Sequence, residues 1–394
     1  MAHSRKKVLI IGATGFVGRR FCLNLLRHNY QDQVDLTLTA RDADKFSQIF
    51  KDFPPSNESY RFETLDTLDQ SSINRIVRQN QIVCNFVGPY AHYAPHIIKA
   101  CAESGSHYID ITGEVNFIRE MMEKYDEVAK KSGASIIPFC GFDSIPSDIG
   151  VYLVKKRLIE KYKSPVKKVH IVYKAKGGFN GGTIASAFES ISKINKKEME
   201  NLHFLCPKER EYYSPIENEA RLANNGSYVA PFFMEQINNK VVYRTKHLAG
   251  HDGYAKNFIY LESMFTTAKL SFLSSQIMEK SLDFSNLLMK SKRASKLVRK
   301  FLPAPGEGPS EQVIQNGFFE AQVTGISESG QKEEFSLLAS GDPGNKVTAS
   351  LALLSLKCLC EIDTPRPGFQ TPVSCFGDMI LSKLNDFNFK IKEI

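Results

Sequence analysis

Three glycines spaced three apart, Gly12, Gly15 and Gly18, follow the short aliphatic run Val8 to Ile11 in the stretch KKVLIIGATGFVGRR. A strand of that length running into Gly12-Ala13-Thr14-Gly15-Phe16-Val17-Gly18 matches the turn from the first strand into the first helix of a dinucleotide-binding βαβ unit. Each glycine has a physical task there. Gly12 permits the tight turn, Gly15 lets the backbone approach a pyrophosphate, and Gly18 lets the helix lie close on the strand. The unpaired N–H groups of the helix N-terminus face the anion. A secretory signal would need an apolar core of roughly 7–15 residues. Here glycines interrupt the run after Ile11 and Arg19-Arg20 close it, so no export signal is expected.

The elements that follow support the nucleotide reading. Phe16, Val17, Phe21, Leu25 and Leu26 recur at helical spacing, and Val34, Leu36 and Leu38 alternate as a second strand. Asp42 is placed to cap a polar helix. Strands are expected at 60–64, 82–87, 107–111 and 134–139, with helices near 69–79, 94–104 and 114–131. Six strands separated by helices imply an α/β fold, a doubly wound parallel Rossmann sheet spanning residues 1–150. At 394 residues the chain exceeds one ordinary core, which implies a second domain. Residues 151–345 read as an α+β substrate and assembly domain. It has a strand over 166–175, a helix opening at Gly181-Gly182-Thr183, and antiparallel strands 317–324 and 333–340 around Ser329-Gly330. Residues 346–394 read as C-terminal helices packing back on the Rossmann domain.

Ligands of such sheets bind at the carboxyl ends of the strands. Where an NAD enzyme carries an acid after the second strand, this chain carries Arg41, with Lys45 one turn on. A guanidinium there suits a 2′-phosphate, so NADP is the expected cofactor. Asp66 could accept from adenine or cap a helix. After the fourth strand, Val87, Gly88 and Pro89 offer a small, rigid turn for the nicotinamide ribose, with Tyr90 beside it. After the fifth come Gly113 and Glu114, and after the sixth Asp143 and Ser144, as candidate substrate contacts. Tyr90 and Asp143 are also candidates for the proton that a hydride reduction consumes; Asp143 could equally cap the next helix.

The strings Asn85-Phe86-Val87-Gly88-Pro89-Tyr90, Asp110-Ile111-Thr112-Gly113-Glu114 with Cys101, and Gly141-Phe142-Asp143-Ser144-Ile145-Pro146-Ser147-Asp148 resemble the saccharopine dehydrogenase-like oxidoreductases. Within that family the chain is most similar to the trans-acting enoyl reductase branch. Gly181-Gly182-Thr183-Ile184-Ala185-Ser186, Pro303 to Pro309 and Thr371-Pro372 ahead of Gly377-Asp378 carry the resemblance along the chain. It implies an NADPH-dependent reductase acting on a C=C or similar unsaturated bond in an apolar or lipid-linked substrate. A saccharopine-type imine or amino-acid dehydrogenase, and a non-catalytic NADP-binding scaffold at a membrane, are the alternatives.

Residues 257–301 stand apart, an apolar series from Phe258 to Met278 followed by Lys290 to Lys300. Their longest uncharged stretch, Leu270 to Met278, is too short to cross a bilayer, which takes roughly 20 residues. The segment is expected as an amphipathic helical region, either a subunit interface or lid, as in a homodimer, or a peripheral membrane contact or the frame of a lipid-chain tunnel. The eight cysteines lack a disulfide or CxxC framework and read as reduced thiols in a cytoplasmic setting. His92 and His96 have no third ligand spaced with them, so no metal is expected. Tyr152 to Lys156 matches Tyr-x-x-x-Lys by chance, without the serine a short-chain dehydrogenase places upstream. No GxSxG elbow surrounds Ser144. The charge of +8 comes with no nucleic-acid module, and no nucleic-acid partner is expected.

Overall fold

A computed structural model describes residues 5–55, 59–178, 180–183, 186, 198, 200–206, 221–222, 228–232, 234–265 and 306–394. The chain opens with β1 (Lys6–Ile11), α1 (Phe16–Arg27), β2 (Val34–Ala40), α2 (Ala43–Ile49), β3 (Arg61–Thr64) and α3 (Gln70–Arg78). It continues with β4 (Ile82–Asn85), the single turn α4 (Tyr90–Tyr93), α5 (Pro95–Ser104), β5 (His107–Asp110), α6 (Val115–Ser132), β6 (Ser135–Ile137) and α7 (Ile145–Tyr162). The caps follow the sequence. Asp42 accepts the Lys45 N–H and Asp69 those of Ser71 and Ser72. Asp66 instead folds its own loop, accepting the Leu68 N–H at 3.0 Å.

These strands form one parallel sheet in the order β3-β2-β1-β4-β5-β6, extended at the β6 edge by β13 (Gly368–Phe369). The C-terminal segment thus becomes part of the dinucleotide sheet. The helix at Thr348–Glu361 packs on α1, and Lys6 donates to the Leu359 and Ile362 carbonyls at its C-terminal end, at 3.1 and 3.0 Å.

The second sheet is mixed. Its order is β14 (Phe389–Glu393), β12 (Lys332–Ser340), β11 (Phe318–Ser327), β7 (Val166–Lys176), β10 (Tyr254–Phe265), β9 (Tyr228–Pro231) and β8 (Arg221–Leu222). The final strand therefore joins this sheet rather than the Rossmann domain. Arg157 on α7 clamps its end with two bonds to Glu393, at 2.8 and 2.7 Å.

One expectation is corrected here. The stretch beginning at 257 enters a strand: β10 runs parallel to β7 and turns Phe258, Tyr260 and Glu262 inward while Asn257 and Ile259 face out. A buried acid at 262 broke the apolar count and hid a period of two. Residues 266–301, and Ile184, Ala185 and Pro303 to Pro305, lie outside the described residues. The helix Glu235–Leu248 has no counterpart in the sequence reading, because its buried face includes Asn238, Lys240, Arg244 and Thr245. Among the described residues no helix is long and apolar enough to cross a membrane, and no group of three or more His, Cys, Asp or Glu could hold a metal. None of the eight cysteines forms a disulfide, and seven are buried.

The packing of α1 on the sheet depends on a missing side chain. A Cβ at Gly18 would collide with the Gly12 carbonyl oxygen and crowd Phe86. Replacing Gly18 with Ala is expected to cost about 1–3 kcal/mol, as overpacking does. Urea unfolding and an NADPH fluorescence titration should show lower stability and weaker binding together.

Candidate functional site

The cradle is built at the carboxyl end of β1. Gly12 has φ +87°, and a Cβ on it would stand 2.7 Å from Val87 Cγ2. The Gly15 N–H donates to the Gly12 carbonyl at 3.0 Å, and the Ala13 N–H to the Thr39 carbonyl at the end of β2. Thr14 and Gly15 stay partly exposed, whereas Phe16, Val17 and Gly18 are buried. Helix α1 has no side-chain cap and no acid in its first turn, so its N-terminus is left for an external anion. The Phe16 ring packs against Gly308 under the guanidinium groups of Arg19 and Arg20, which lie 4.7 and 4.2 Å from its centroid. Arg20 also pairs with Glu311 at 3.0 Å, tying the 306–311 loop to the cradle. Arg41 and Lys45 are exposed just past β2 on the same rim, with Lys45 Nζ beside Gly306.

The loops after β4, β5 and β6 are held by one buried network. Asn85 Nδ2 donates to the Tyr108 hydroxyl at 3.1 Å, and Asn85 Oδ1 accepts the Val87 N–H at 3.0 Å. The Tyr108 hydroxyl donates to Asp110 Oδ2 at 2.8 Å, and Asp110 Oδ1 accepts the N–H groups of Thr112 and Phe139. Three strand ends are thereby fixed by neighbours in the sheet. Phe86 to Pro89 remain partly exposed, with a cis Gly88-Pro89 bond and Ser186 Oγ against Gly88.

Several candidates turn out to be committed elsewhere. Both Glu114 oxygens accept backbone N–H groups, from Tyr90 at 2.8 Å and Ala91 at 2.9 Å, so this buried carboxylate holds the start of α4 rather than facing a substrate. The Tyr90 ring lies in the apolar core and its hydroxyl points back to the Asn85 carbonyl, which removes it as the proton donor. Ser144 is buried and donates to Asn238 Oδ1 at 3.3 Å. Asp143 differs from them. It is partly exposed, its Oδ2 faces Gly113, and among the described residues no hydrogen bond holds its carboxyl. Desolvation alone raises its pKa to about 6. Ile237 also approaches Gly113, an apolar neighbour on the side of the second domain.

Known proteins agree with this geometry. Residues 8–137 match the saccharopine dehydrogenase NADP-binding domain. Along its length the chain resembles the saccharopine dehydrogenase-like oxidoreductases. It is an NADP-dependent enzyme, and the open, uncapped cradle fits that cofactor's pyrophosphate. A Mycobacterium tuberculosis protein named as a trans-acting enoyl reductase is 28% identical over 96% of this chain and 94% of its own. The trans-acting enoyl reductase of Mycobacterium leprae is 23% identical over 96% and 95%. The apo form of Saccharomyces cerevisiae saccharopine dehydrogenase (L-Glu forming) shares the fold, with a TM-score of 0.56, 13% identity, and coverage of 99% of this chain and 100% of that one.

The Asp110 network also sets a pH dependence. Burial raises its pKa to about 7, so the folded chain holds this proton more tightly than the unfolded one. The stabilisation is complete below an unfolded value of about 4 and is lost as pH rises through about 7. Urea unfolding from pH 5 to 8 should show a declining stability whose slope becomes shallower in Asp110→Asn, by up to about 1.4 kcal/mol per pH unit.

Proposed function

We propose that this protein reduces the C=C bond of an enoyl group carried on an apolar or lipid-linked substrate. The observation that carries this reading is the likeness to trans-acting enoyl reductases, which runs through both domains rather than the nucleotide half alone. NADPH supplies the hydride when bound. Gly12 to Gly18 receive its pyrophosphate, Arg41 and Lys45 its 2′-phosphate, and Val87, Gly88 and Pro89 its nicotinamide ribose.

The chain's own chemical contribution is a proton. Hydride addition to the β-carbon of an enoyl group pushes the electron pair toward the carbonyl, and the α-carbon must then be protonated. Asp143 would supply it: among the described residues no hydrogen bond holds its carboxyl, its Oδ2 faces Gly113, and desolvation raises its pKa to about 6. Gly113 leaves room for the substrate chain, and Ile237 shields the site from water.

Two outcomes check the assignment. Arg41→Glu should reduce the NADPH-over-NADH preference about 10- to 100-fold, since charged hydrogen bonds contribute about 1.5–3 kcal/mol. Asp143→Asn should lower kcat for a 2-enoyl thioester by about 10²–10⁴-fold while NADPH affinity, read by fluorescence, stays within about twofold. Turnover of a 2-oxo acid plus an amine in place of the enoyl thioester would assign the site to the imine chemistry instead, and cofactor binding without either turnover would make it a scaffold.

A further inference from the structure

The run Gly306-Glu307-Gly308-Pro309-Ser310-Glu311 is remote in sequence from the cradle, yet it touches both loops of the dinucleotide sheet that the NADP reading uses. At the end of β1 it packs on the first residue of α1, where a Cβ on Gly308 would stand 2.5 Å from Phe16 Cζ. Glu311 pairs with Arg20 at 3.0 Å, and the other arm of that guanidinium donates to the Phe16 carbonyl at 3.0 Å. Beyond the end of β2 it meets α2, where a Cβ on Gly306, φ +91°, would lie 3.4 Å from Lys45 Nζ. The run therefore bridges α1 and α2.

Its other side is fixed to the second domain. The Gly181 N–H donates to the Glu307 carbonyl at 2.9 Å, and Pro309 Cβ stands 2.9 Å from where a Cβ on Gly178 would be. Gly178 is itself held, its N–H by Asp342 Oδ2 and its carbonyl by Asn345 Nδ2 at 3.0 Å, while Asn180 Nδ2 donates to Asn345 Oδ1 at 2.7 Å. The charge beside the run is unbalanced. Glu311 is committed to Arg20 and Asp42 to capping α2, whereas among the described residues no salt bridge engages Arg19, Arg41 or Lys45. Such an excess of cations suits a phosphate monoester.

We propose that residues 306–311 are a strap from the second domain that completes the 2′-phosphate end of the NADP site, seated by Gly308 on Phe16 and latched by the Arg20–Glu311 pair. This rests on the assignment of Arg41 and Lys45 to the 2′-phosphate. Gly306 confines one side of the long Lys45 stem, which reduces the rotamer freedom lost when the ammonium meets the phosphate. The Glu311 side chain is 66% exposed, and an ion pair so placed contributes little, so the latch yields when cofactor exchanges. NADH, without the phosphate, gains nothing from the strap. Cofactor preference then depends on residues outside 8–137, the stretch that matches the NADP-binding domain. Gly308 and Glu311 are positioning residues, acting through Phe16, Arg20 and the seat of Gly306 beside Lys45.

Fluorescence titrations of the full chain test the strap. Gly308→Val, whose side chain must push the strap off Phe16, should raise the NADPH Kd about 10-fold. Glu311→Gln should raise it about threefold. The NADH Kd should change less than about twofold in both. Adenosine 2′,5′-bisphosphate, which carries the 2′-phosphate without the nicotinamide, should lose affinity by about the same factors when it displaces NADPH. Equal losses for NADPH and NADH, a loss for NADPH but not for the bisphosphate, or unchanged NADPH affinity would overturn the proposal. If Gly308→Val unfolds at lower urea than the wild type, the exposed Glu311→Gln decides between these outcomes. Normal NADPH selectivity in the strap variants, together with its loss in Arg41→Glu, would defeat the strap alone. A wild type with no NADPH-over-NADH preference would defeat the 2′-phosphate assignment and the strap with it.

Discussion

The chain of hydrogen bonds from Asn85 through Tyr108 to Asp110 lies buried across the carboxyl ends of the central strands, and the cleft loops depend on it. Such a network stabilises only when every member is satisfied, because a stranded donor or acceptor in a low-dielectric core costs about 1–3 kcal/mol. Here each branch ends on a backbone N–H of a loop at the carboxyl end of the parallel sheet: Val87, Thr112 and Phe139. Glu114 adds the cross-tie from the fifth strand's loop to the start of α4. The loops are thus positioned by the sheet rather than by the ligand, which is the preorganisation that hydride transfer needs.

The second domain is joined to this platform through α7, which follows the Asp143 loop. One end of α7 meets the C-terminal segment, where Asp148 accepts the Val373 N–H at 3.3 Å. Further along, its inner face enters the second sheet, where Gly150 leaves room for Ile171 and Val323. Chain crossings reinforce the union, since β13 completes the first sheet and β14 the edge of the second. Gly113 is therefore bordered from both domains, with Asp143 on one side and Ile237 contributed from the second.

The Rossmann half was legible because its signals are local. Glycine spacing, apolar periods of 2 and 3.6, and caps such as Asp42 each depend on a few neighbouring residues, and each reappears in the structure. The second half was less legible because its inward faces carry polar groups. Glu262 in β10 and Asn238, Lys240 and Arg244 in the 235–248 helix are buried by tertiary partners that no pattern count contains. The same limit applied at the site. Sequence position put Tyr90, Glu114 and Ser144 among the substrate contacts, but only their hydrogen bonds reveal that they are committed to the scaffold, whereas among the described residues none holds the Asp143 carboxyl.

The central claim is that hydride from NADPH and a proton from the cleft are added across an enoyl double bond. The most direct test is mass spectrometry and NMR of the product formed from a 2-enoyl thioester and NADPH deuterated at the transferring C4 position in ordinary water. One deuterium at the β-carbon and one solvent hydrogen at the α-carbon are predicted. A product with no cofactor deuterium, or deuterium transfer only to the imine formed from a 2-oxo acid and an amine, would contradict the account.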